Sequence, residues 1–73
     1  MEATQSNISI VVNGETKEVA LGANVILLLQ ALGLHAGRVA IERNLQILPR
    51  NQWDSTAVAA GDRYEIVQFV GGG

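Results

Sequence analysis

The chain has no cysteine, one proline, one histidine and one each of phenylalanine, tryptophan and tyrosine among its 73 residues. Without cysteine there is no disulfide framework, no thiol nucleophile, no iron–sulfur ligand and no cysteine-held zinc; a reducing compartment is permitted. Charge is scarce as well, at 16% of residues against about 25% in an average soluble domain. Five basic residues face seven acidic ones, for a net charge of −2, and the basic ones are scattered. That leaves no electrostatic footprint for a phosphate backbone, so nucleic acid is not the expected partner. Apolar runs fall far short of the ~20 residues that span a bilayer, and Met1 to Ser6 is polar, unlike a signal peptide. The expectation is a cytoplasmic protein that meets no membrane.

What the chain has instead is aliphatic side chains: 48% of residues are apolar. Its length is half of the roughly 150 residues typical of a domain, which allows one small core and no enclosed multi-residue active site. A chain this short hides only about 60% of the surface that its unfolded form exposes. Part of the apolar surplus is therefore expected outside, where apolar patches mark partners.

Asn7 to Val12 alternates, with Ile8, Ile10 and Val12 on one face, the period of a half-buried strand. Asn13-Gly14 follows, the strongest short hairpin signal, because a type I′ turn needs positive φ at both central residues. A second strand is expected back through Glu15 to Ala20, with Val19 inward. The period then changes: Val25, Leu28, Leu29 and Leu32 form one helical stripe, with Asn24 as N-cap and Gly33 ending the helix. On that helix Leu27 points away from the core and Ile26 lies at its flank. Arg38 to Glu42 alternates again as a third strand, Val39 and Ile41 opposite Ala40 and Glu42. A turn around Arg43-Asn44 leads to a fourth strand through Leu45, Ile47 and Leu48, ended by Pro49, which cannot donate to a ladder. Trp53 is expected to cover an edge of the core, Gly61-Asp62 to turn, and Tyr64 to Val70 to form the last strand.

One helix between two hairpin-like pairs, sharing a core with the sheet, is an α+β two-layer architecture. Its ubiquitin-like form is the β-grasp, a mixed four- to five-stranded sheet packed on one helix with first and last strands side by side. The expected organisation is a disordered segment over 1–6, the domain over 7–70 and a flexible glycine tail over 71–73.

Gly71, Gly72 and Gly73 follow an apolar strand directly. They have no side chain to pack and suit a thin extended strip entering a narrow slot on another protein; from Val70 the reach is about 13 Å. The carboxylate at the tip, with a reference pKa near 3.5, is ionised at neutral pH and a poor electrophile. Chemistry at its carbon needs activation, most simply by transfer of AMP from ATP. The chain has no phosphate-binding loop, so another protein does the activating, and this one is a carrier and substrate, not an enzyme.

The element order, Val12-Asn13-Gly14, Arg38-Val39-Ala40-Ile41-Glu42, Leu48-Pro49-Arg50 with Trp53 three residues on, and Gly61-Asp62 running through Phe69-Val70 into terminal glycines together resemble the thiamine-biosynthesis sulfur carrier family, ThiS, over about residues 8–73. Terminal glycines alone are shared with molybdopterin carriers and ubiquitin-like modifiers; the Pro-Arg-x-x-Trp segment and the short length favour the thiamine branch. The resemblance implies that Gly73 is adenylated by a ubiquitin-activating-type adenylyltransferase using Mg-ATP. It further implies conversion to a thiocarboxylate with sulfur from a donor protein, and delivery of that sulfur to thiazole synthase. Gly72 and Gly73 are the functional pair on this reading; Gly71 falls on a more variable position. No cofactor or metal is expected on the chain itself. The alternatives are a molybdopterin-synthase-type carrier, a protein modifier joined through Gly73 to lysines, and a non-covalent β-grasp interaction module.

Strand parity places Glu65, Val67 and Phe69 on one open face, with Ala40 and Glu42 across the sheet on the same side. Val67, Phe69, Ala40 and Glu42 are the expected partner-binding residues. Leu27 and Ile26 depart from the family's often polar or acidic helix positions, and Leu45 stands in a turn where the family often has glycine. His35 lacks convergent ligands nearby and reads as a loop residue. Glu15, Glu18, Asp54 and Asp62 read as solvated surface charges.

Overall fold

Asn13 and Gly14 adopt φ of 50° and 83°, the two positive values a tight hairpin requires, and they close β1 (Asn7–Val12) onto β2 (Glu15–Ala20) in antiparallel register, Ile8 beside Val19 and Val12 beside Glu15. In this computed structural model residues 6–69 are described. The 1–5 part of the expected N-terminal segment, Val70 and the tail Gly71, Gly72 and Gly73 lie outside the described residues. At Ser6 the backbone carbonyl accepts from the Leu21 N–H at 3.0 Å.

The helix α1 (Val25–Leu32) starts where the Asn24 side-chain oxygen accepts the Leu27 N–H at 2.8 Å, and ends at Gly33 in the left-handed conformation, φ 74°. Both caps satisfy backbone groups that a short helix otherwise leaves open. Val25, Leu28 and Leu29 are buried by the stripe; Leu27 is exposed, and Ile26 packs at the core's margin. Asn24 also donates to the Asp54 carbonyl at 3.1 Å. With Val25 N–H to Thr56 O (3.1 Å) and Val58 N–H to Ala23 O (2.8 Å), it ties the irregular 53–58 stretch to the helix start.

A 3₁₀ turn over Ala36–Arg38 precedes β3 (Val39–Arg43), so the strand begins and ends one residue later than alternation predicts. Asn44 and Leu45, at φ 52° and 72°, turn the chain into β4, which is only Gln46–Ile47. Leu45 thus belongs to the turn and not to the strand. The last strand, β5 (Arg63–Gln68), lies at the centre of a five-stranded mixed sheet in the order β2-β1-β5-β3-β4, parallel to β1 and antiparallel to β3. That is the β-grasp arrangement expected for one helix on one sheet.

Trp53 is 2% exposed, and the segment around it explains itself physically. Its indole N–H donates to the Leu48 carbonyl at 3.0 Å, and the Arg50 guanidinium lies 4.6 Å from the ring centroid, within cation–π range. Arg50 also donates to the carbonyls of Ala36 and Val39. Arg50, stacked on the buried Trp53, therefore ties the entrance to β3 to this segment.

Candidate functional site

The strand that leads to the C terminus is positioned by three polar side chains. On the β1 side, Val11 N–H donates to Asp62 O and Asn13 N–H to Tyr64 O, each at 2.9 Å. Where β1 then ends, the Asn13 amide takes over: its oxygen accepts the Ile66 N–H at 2.8 Å and its NH₂ donates to the Ile66 carbonyl at 3.1 Å. Asn44 makes a similar clasp on the other side, its N–H to Arg63 O at 2.8 Å and its side-chain oxygen accepting Arg63 N–H at 2.9 Å.

The third is Asp62, only 5% exposed. The expectation of a solvated Asp62 is overturned, because its carboxylate accepts from Ala59 N–H (2.9 Å), Arg43 Nε (3.0 Å), Tyr64 O–H (3.0 Å), Asn44 Nδ2 (3.1 Å) and Arg43 Nη2 (3.4 Å). Burial pushes such a carboxyl up. The bonds from Ala59, Asn44, Tyr64 and Arg43 outweigh it and hold the group below its ordinary range. Burial, then the bond to Asp62, pushes the Tyr64 phenol up to about 12. The cluster fixes the start of β5, at the opposite end of the strand from the C-terminal glycines.

Beyond the Asn13 clasp, β5 outruns β1. Backbone direction alternates along a strand, so Gln68 presents its N–H and C=O on the side where β1 has already stopped, while Phe69 N–H still donates on the other side, to Arg38 O in the turn just before β3, at 2.8 Å.

The sheet covers the helix with one face and leaves the other open. Tyr64 and Ile66 are buried, whereas Val67 and Phe69 are 59% and 54% exposed. Ala40 is the cross-strand partner of Val67 and Glu42 that of Glu65. The four residues predicted to share the open face therefore do so. Ala40, Glu42 and Val67 line a shallow depression of about 220 Å³, and Ile41, Ile47 and Glu65 complete it. Ile47 is the lining residue that sequence reading missed as part of this face. A two-residue strand gives no alternation to read, and the signal is its register opposite Glu42. Gly71, Gly72 and Gly73, the other predicted site residues, lie outside the described residues.

Glu15, predicted to be a surface charge, lies 3.3 Å from Lys17 at an exposed hairpin end. His35 caps the 3₁₀ turn, its Nδ1 accepting the Gly37 N–H at 3.0 Å. Among the described residues no three His, Cys, Asp or Glu gather in a way that could hold a metal, and no helix is long and apolar enough to cross a membrane.

Comparison with known proteins gives a consistent result. Residues 10–73 match the model of the ThiS family. A thiazole synthase of Paramagnetospirillum magneticum is 42% identical over 66 residues, which are 90% of this chain but 20% of that protein; the chain thus spans about a fifth of the length of this relative. The sulfur carrier protein ThiS of Escherichia coli is 33% identical over 66 residues, covering 90% of this chain and all (100%) of that one. The crystal structure of a thiamine biosynthesis protein (ThiS) from Geobacter metallireducens superposes with a TM-score of 0.77 at 39% identity, over 90% of this chain and 100% of that one.

Proposed function

This chain belongs to the ThiS family, whose members are sulfur carriers of thiamine biosynthesis and not enzymes, and we propose that its working atom is the carboxyl carbon of Gly73. The carboxylate oxygen attacks the α-phosphorus of ATP, held with Mg²⁺ by a ubiquitin-activating-type adenylyltransferase. Pyrophosphate leaves and an acyl-adenylate remains. A sulfide-level sulfur from a donor protein adds to the carbonyl and expels AMP, so that one carboxylate oxygen is replaced by sulfur. Thiazole synthase then takes that sulfur. A direct meeting of carrier and synthase is supported by the relative in which a segment like this chain makes up a fifth of a thiazole synthase. A cytoplasmic setting, where ATP is available, fits this cycle.

The observation that carries the reading is that the family match covers residues 10–73 and so includes Gly73. In support, β5, at the sheet's centre, leads the chain toward those glycines beside an open face bearing Val67, Phe69, Ala40 and Glu42. We assign docking of both partners to that face, with Gly71 and Gly72 as the thin strip that enters their active sites.

Intact mass after incubation with Mg-ATP, the adenylyltransferase and a sulfur source tests this directly. A gain of about 16 Da marks exchange of oxygen for sulfur; deletion of Gly73 abolishes it, since the acyl carbon is then displaced from the slot by about 3.3 Å. High-mass adducts on other proteins would instead indicate a modifier. An unchanged mass with a competent enzyme would sink the carrier chemistry.

A further inference from the structure

The open face carries a feature that the fold does not need. Glu42 and Glu65 are directly opposed cross-strand partners, an arrangement in which like charges repel. Three of the five basic residues are engaged elsewhere: Lys17 with Glu15, Arg43 with Asp62, and Arg50 with two backbone carbonyls and the Trp53 ring. Among the described residues neither glutamate is in an ion pair. The exposed apolar side chains beside them are Ala40, Ile47 and Val67; Ile41 also lines the depression but its side chain belongs to the core on the other face. Ala40 sits opposite Val67 and Ile47 opposite Glu42, so the smallest side chain lies where a wall would otherwise close the space.

We propose that this depression is a socket for an arginine side chain of the protein that takes the C-terminal tail, with the aliphatic stem along Ile47 and Val67 and the guanidinium between Glu42 and Glu65. The proposal rests on the carrier reading above and gives the chemistry of its docking step. Charge complementarity selects a cation, and the apolar walls select one with a hydrocarbon stem. A planar fork of five N–H donors bridges two separated carboxylates as a lysine ammonium does not. A hard divalent ion takes six or more oxygens, and two carboxylates amid aliphatic side chains do not supply them. Gly73 lies six positions beyond Val67, a reach of about 20 Å. The arginine and the active site that handles the tail therefore belong to one partner, and partners that take the tail in turn compete for the socket.

The test measures affinity of the adenylyltransferase for the wild-type chain and for the Glu42→Gln/Glu65→Gln double variant, at about 50 mM and about 500 mM NaCl. The socket predicts binding weaker by about tenfold in the variant at low salt, with the difference largely gone at high salt, where screening has collapsed the charge term. The variant melts no lower than the wild type, because the repulsive pair has been removed. Equal affinities at low salt overturn the proposal. So does a MgCl₂ titration of the chain alone that shifts the amide resonances of Glu42 and Glu65, accompanied by loss of enzyme binding in chelator, since the occupant is then a metal ion. A wild-type chain that binds in this salt-dependent way but gains no 16 Da overturns the carrier chemistry and leaves the socket standing. Normal mass gain with equal affinities removes the socket alone.

Discussion

Asp62 is charged, buried and surrounded by donors from Ala59, Arg43, Asn44 and Tyr64. Its depressed carboxyl means that folding stability depends on its ionisation, with the full contribution present above the unfolded value near pH 4 and lost as pH falls through the lower folded value. Asp62→Asn strands the Arg43 charge and sets an amide among donors, at a cost of about 2–3 kcal/mol near neutrality. In urea titrations from about pH 7 to pH 2, the gap between wild type and variant is expected to narrow below pH 4. A gap independent of pH would show that the carboxylate's charge is not what the cluster uses. At the alkaline end the raised Tyr64 phenol has the opposite sign: its contribution is intact below the unfolded value near 10 and lost as pH rises through about 12. Ala59 and Tyr64 are local to Asp62, but the full cluster is not legible in the sequence, because its partners at Arg43 and Asn44 lie nearly twenty residues away. Asn13 has the same lesson at greater range. Its role in the Asn-Gly turn is local and readable, while the clasp on Ile66, 53 residues on, depends on which strand lies beside it.

At the scale of elements, local chemistry settles most boundaries and fails where strands are short. The helix runs between the Asn24 cap and Gly33, as read, and the first hairpin closes at Asn13-Gly14. The β3–β4 hairpin was harder, since Leu45 reads as the first apolar residue of a strand but occupies the second turn position at φ 72°. Both central residues have positive φ, the I′ pattern, and an L-residue other than Asn, Asp or Gly is strained there by roughly 1–2 kcal/mol. Leu45 is 86% exposed, so little packing offsets that strain. Leu45→Gly is therefore expected to stabilise the chain by about 0.5–1 kcal/mol, part of the relief being returned to the more flexible unfolded state. That corresponds to a melting temperature higher by roughly 2–8 °C. A fall in melting temperature would show that the exposed leucine makes contacts that hold the turn.

For the whole molecule, the two faces of one sheet divide the labour. One face, with Ile10, Val39, Ile41, Tyr64 and Ile66, is sealed by α1 and Trp53 and holds the fold together; the other presents Val67 and Phe69 to water. Strand parity was enough to assign the two faces from sequence. Sequence could not give the way β5 outruns β1, because that depends on where the parallel pairing stops. Since Phe69 is more than half exposed and follows the last strand residue, its side chain contributes little to the core. Phe69→Ser is expected to change stability by no more than about 0.5 kcal/mol while, on the proposed docking of the adenylyltransferase to this face, weakening its binding by about tenfold, as the loss of an aromatic anchor does. Serine is the informative replacement, because it removes the ring without adding charge to the open face. Thermal melts and binding isotherms on the same sample separate the outcomes. Lost binding at unchanged stability places Phe69 in the docking face, whereas a chain that melts many degrees lower would mean that the open face is part of the core after all.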